Sequence, residues 1–110
     1  MAVYARTQQP SMLHAKLSSA LRRGQIPGWL IDPEGDMTLD GALRNQAWMR
    51  PTVGSDRISF YIVSPRGVQL TIATYAAFHG RLCEALLAHF DKDFDRVEAT
   101  ALPSGRDAVG

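Results

Sequence analysis

Between Arg57 and Phe90 the spacing of apolar residues changes from two to three and four, and this change constrains the fold more than any other feature of the chain. Ile58, Phe60 and Ile62 alternate with Ser59 and Tyr61, and after Ser64-Pro65-Arg66-Gly67 the residues Val68, Leu70 and Ile72 alternate with Gln69 and Thr71. A period of two sends successive side chains to opposite faces, so the pattern predicts two strands joined by a tight turn, each with an aliphatic and a mixed face. From Thr74 to Phe90, Tyr75, Phe78, Leu82, Leu86 and Phe90 recur at helical spacing, with Arg81, Glu84 and Ala88 opposite. A one-sided sheet needs a cover and an amphipathic helix needs a surface, so the helix is expected to lie on the hairpin. Each large side chain buried there contributes roughly 1.5–3 kcal/mol before conformational entropy is set against it.

The remaining elements follow from weaker signals. Residues 1–10 carry Arg6, Gln8, Gln9 and Pro10 without periodicity and are expected to form a flexible N-terminal arm. Ser11 is the expected N-cap of an amphipathic helix from Met12 to Arg23, whose Leu13, Leu17, Ala20 and Leu21 share one side and which Gly24 ends. Trp29-Leu30-Ile31 reads as a short strand, residues 32–36 as a turn, and Met37 to Leu39 as an antiparallel return. Asp40 to Trp48 reads as a short helix, ended by Pro51 and Gly54. Arg96 to Leu102 alternates again, with Val97, Ala99 and Ala101 between Arg96, Glu98 and Thr100, and is expected to rejoin the sheet. Residues 103–110 read as a flexible C-terminal tail. The whole is expected to be one α+β domain over residues 11–102: a two-layer sandwich with an antiparallel or mixed sheet and helices packed on one face.

With 110 residues, 45% of them hydrophobic and a formal net charge of +1, the chain has the composition of an ordinary globular domain, with no field of either sign to attract nucleic acid or anionic membrane. The longest nearly uncharged stretch, residues 67–80, is too short and too polar to span a bilayer. Cys83 is the only cysteine, which excludes an internal disulfide, and no basic-then-apolar signal follows Met1. The expectation is a reducing, cytoplasmic setting.

Catalytic and metal signatures are thin. His79 and Cys83 lie four residues apart on one helix, with His89 further along, but a structural zinc site wants four ligands and His14 lies on a different helix. As a nucleophile and base the pair lacks an orienting acid, since Glu84 points away from His79, and a mid-helix Cys lacks the helix N-terminus that lowers a thiol pKa. Asp32, Glu34 and Asp36 resemble the opening of a calcium loop, but the position that would supply its last carboxylate is Leu43. No GxxxxGK[ST], GxGxxG, HExxH or GxSxG occurs. No catalytic residue, metal or cofactor is therefore expected.

Packing surface remains. Trp29, Trp48, Tyr61 and Tyr4 exceed what the hairpin and its helix need, and aromatic residues, Met and Arg concentrate at interfaces. The leading expectation is a non-catalytic binding or interaction module whose partner is itself, as a homodimer, or another protein, using a strand edge or the sheet face. The second is a small-molecule-binding protein or small enzyme with a pocket between the sheet and helix 74–90, where Tyr61, Tyr75 and His79 point inward. The third is nucleic-acid binding, which needs Lys16, Arg22 and Arg23 to gather with Arg6, Arg44, Arg50, Arg57 and Arg66, and against which the balanced charge counts.

Overall fold

The computed structural model describes residues 2–101. In chain order the elements are β1 (Ala2–Arg6), α1 (Pro10–Arg22), β2 (Trp29–Ile31), β3 (Met37–Leu39), β4 (Trp48–Val53), β5 (Arg57–Val63), α2 (Ile72–Phe90) and β6 (Arg96–Ala99). The strands form one sheet in the order β2-β3-β4-β5-β1-β6, with every neighbouring pair antiparallel. Both helices pack on the same face, which makes a two-layer α+β fold. No helix among the described residues is long and apolar enough to cross a membrane.

The core follows from the two periodicities. Ile58, Phe60 and Ile62 of β5 and Val3 and Ala5 of β1 are fully buried, and with Met37, Leu39, Met49 and Trp29 they form the floor on which the helices rest. Leu13, Leu17 and Leu21 descend from α1, and Tyr75, Phe78, Leu82, Leu86 and Phe90 from α2. Thr71 caps α2 by accepting a hydrogen bond from the Thr74 amide at 3.1 Å. At the end of α1, Gly24 adopts φ +67°, its amide donating to Leu21 O at 3.1 Å and that of Gln25 to Ala20 O at 2.9 Å. These are the two bonds of a Schellman ending, which needs a left-handed residue at Gly24.

Four local expectations are corrected. Residues 2–6 are not a loose arm but β1, an interior strand of the sheet, hydrogen-bonded to β5 on one side and β6 on the other. Ser11 does not cap α1, because Pro10 already occupies its first turn, where the missing N–H removes no bond, and Gln9 holds the cap position. Residues 40–47 are turns rather than a helix. Gly41 and Asn45 both take positive φ, and Thr38 Oγ1 accepts from Asn45 N at 3.1 Å while donating to Ala47 O at 2.9 Å, so the segment folds around Thr38.

The fourth correction concerns the hairpin. β5 pairs with β4, through a turn closed by Gly54 N donating to Arg57 O at 2.8 Å, and its other edge is taken by β1, so residues 68–71 find no sheet position and run as a loop into α2. Ile72, left over from that alternation, is 84% exposed. Pro51 does not end β4. It faces Phe60 at a position where the strand's N–H groups point away from β5, towards the side on which β3 reaches only Met49, so no ladder bond is lost. The expected tail at residues 103–110 lies outside the described residues.

Candidate functional site

The register that sends Val3, Ala5, Ile58, Phe60 and Ile62 to the helices sends Tyr4, Arg6, Arg57, Ser59 and Tyr61 to the other face, over which neither helix lies. Tyr4 stands opposite Ser59 and Glu98, Arg6 opposite Arg57 and Arg96, and Tyr61 opposite Ala2 and Arg50. The rings of Tyr4 and Tyr61 meet edge-on, with centroids 6.5 Å apart and planes at 85°, and the Arg57 guanidinium carbon sits 4.2 Å above the Tyr4 ring. Such an edge-to-face pair and cation–π contact hold the side chains in one arrangement before any partner arrives.

Charge on this face is arranged rather than accumulated. Arg6 Nε donates to Glu98 Oε1 at 3.0 Å while Arg6 Nη1 lies 3.6 Å from Asp56 Oδ2, and Arg96 Nε approaches the same Glu98 oxygen at 3.3 Å. The hydrogen bond from Arg6 holds the Glu98 carboxyl below its ordinary pKa, and Glu98 in turn pushes Arg6 above its own. At the other end of the sheet Arg50 clamps Asp36 through two bonds of 3.1 and 2.9 Å, which pushes the Arg50 pKa up.

The five sequence-selected residues separate into two groups. Tyr75, His79 and Trp29 are buried on the helix side of the sheet. The Trp29 ring packs edge-on against Phe78 at 6.0 Å, and His79 Nδ1 donates to Tyr75 O at 2.7 Å, a bond that requires the hydrogen on Nδ1. Tyr61 is buried on the opposite side, and half-buried Trp48 starts β4 opposite Val63. Tyr61 therefore does not share a pocket with Tyr75 and His79, from which the sheet divides it. A depression of about 220 Å³ between residues 26–29 and the last turns of α2 has Trp29, Arg81, Glu84 and His89 on its walls, while Tyr75 and His79 do not line it. It is smaller than the roughly 300 Å³ at which ligand pockets begin.

Neither sequence-level constellation gains chemistry from its surroundings. Burial pushes the Cys83 thiol up from its ordinary pKa, the reverse of what a nucleophile needs. Cys83 is thus expected to react with a maleimide at pH 7.5 more slowly than free cysteine, with its rate still rising beyond the pH at which free cysteine levels off. A rate above that of free cysteine would contradict this. Asp32, Glu34 and Asp36 do bring ligand oxygens within 4.8 Å of one another. However, Asp32 Oδ1 accepts from the amides of Glu34 and Asp36, both at 2.9 Å, and Asp36 is held by Arg50, so the Asp32 and Asp36 oxygens build a turn and an ion pair.

Sequence reasoning missed Tyr4, Arg6, Arg57 and Glu98 as a group. The available signal was the A-V-Y-A-R run at 2–6, whose small and apolar residues alternate with Tyr4 and Arg6. Comparison with protein-family models, with curated proteins and with solved structures finds no match to this chain.

Proposed function

We propose that this domain is a non-catalytic interaction module that self-associates as a homodimer. The observation supporting this reading is the sheet face away from the helices, where Tyr4, Tyr61 and Arg57 pack as one unit beside the Arg6–Glu98 pair. Tyrosine and arginine carry a disproportionate share of binding energy at interfaces, and here their side chains are already fixed by one another, which reduces the entropy lost on docking. The catalytic readings have no comparable support, given a thiol made less acidic by burial and a histidine held by its own helix. The lone cysteine fits a reducing, cytoplasmic setting.

Native mass spectrometry of the freshly purified chain tests the proposal. Ions of two chains with no added mass are expected. Ions of one chain carrying a metal or an organic mass would overturn it in favour of a ligand-binding protein.

A further inference from the structure

We propose that the second copy docks along β6, extending the sheet edge to edge in a single register set by Arg96 and Glu98; this rests on the self-association proposed above. β6 is the outermost strand, with no described element beyond it. Thr100 N donates to Ala2 O at 2.9 Å in a register that places Ala99 opposite Val3. The hydrogen-bonded pairs with β1 are therefore those of Thr100, Glu98 and Arg96, and the intervening Val97 and Ala99 direct their N–H and C=O groups outward. An incoming antiparallel strand would pair with those groups.

Charges on an edge strand ordinarily repel such an approach. In β6 the two charges have opposite sign, stand two residues apart and lie on the same face, so they are complementary to themselves under a two-fold axis. With the axis at Val97, that residue faces its own copy and exchanges two backbone hydrogen bonds with it, while Arg96 of each chain faces Glu98 of the other, twice. Such flanking pairs are the closer ones in an antiparallel ladder. Moving the axis to Glu98 would set the two Glu98 carboxylates against each other, and moving it to Ala99 would leave both charges without an opposite number. Only the Val97 register places both cross-chain ion pairs. Glu98 then lies between Arg6 of its own chain and Arg96 of the second copy, and the part-exposed Tyr4 and Arg57 face becomes continuous across the two sheets.

The test is sedimentation equilibrium of the full chain as wild type, Glu98→Arg and the doubly exchanged Arg96→Glu/Glu98→Arg, each first shown to melt like wild type. Glu98→Arg turns both attractive pairs into repulsive ones and is expected to weaken the dimer by roughly tenfold or more. The double exchange restores opposite charges in the same register and is expected to return the dissociation constant to within about threefold of wild type. A dimer indifferent to Glu98→Arg, or one not rescued by the exchange, overturns the β6 register while leaving self-association standing. A wild-type chain that is monomeric at every concentration overturns both.

Discussion

Removing residues 1–7 abolishes cooperative unfolding: the truncated chain is expected to melt without a sigmoidal transition and to lose its near-ultraviolet signal. β1 lies between β5 and β6 and pairs with both, so its loss strips the ladder from one edge of β5 and detaches β6 from the sheet. It also opens the core, because Val3 and Ala5 are fully buried beneath the helices. A domain of this size is stabilised by about 5–15 kcal/mol in total, and losing an interior strand with its burial and its hydrogen bonds on two sides exceeds that margin. Val3→Asp is the milder version. It buries a carboxylate with no partner, a change costing several kcal/mol, and is expected to leave mostly unfolded protein at room temperature. A truncated chain with a sigmoidal melt within a few degrees of the full chain would contradict the placement of β1.

Phe78→Ala has the next largest effect. The Phe78 ring is fully buried where α2 meets the sheet, and the Trp29 ring packs edge-on against it at 6.0 Å. Truncation leaves a void that helix and sheet cannot both close, and the expected loss is about 3–5 kcal/mol, read as a lower urea midpoint at unchanged slope. Trp29 reports the same event: its emission is expected to shift to the red in the variant as water reaches the ring. Gly80→Ala, two residues on, should instead raise stability by about 1 kcal/mol, since an added Cβ meets nothing within 4 Å and the helix gains propensity. A Phe78→Ala loss below about 1 kcal/mol would mean that α2 does not pack as described.

The parts of the fold legible in the sequence are those where one periodicity runs long enough to have a single solution. α2 and β5 belong here as elements, as do α1 with its Gly24 ending and the short pair β2 and β3, whereas α2 packs chiefly along β1 and β6 rather than on a hairpin of its own. The sequence pattern fails where a local signal is spent on something non-local. Val68, Leu70 and Ile72 alternate like a strand, yet β1 already occupies the edge of β5 they would need. Residues 40–47 have helical spacing, but the two bonds of Thr38 and the left-handed Asn45 win. β1 is only five residues, two of them alanines whose burial depends on neighbours more than 50 positions away in sequence.

The candidate site shares that limit. Tyr61 and Trp48 lie on the face that carries it, but Tyr4, Arg6, Arg57 and Glu98 come together only through the β5-β1-β6 register, which no local pattern encodes. Tyr75, His79 and Trp29 carry ring and imidazole chemistry in the sequence but are buried on the helix side, where Trp29 packs on Phe78 and His79 bonds back to Tyr75.

Sedimentation velocity of the wild-type chain across a concentration series from low to high micromolar tests self-association most directly. A boundary that moves from the one-chain to the two-chain coefficient as concentration rises is the predicted result. A single boundary at the one-chain coefficient throughout would contradict it.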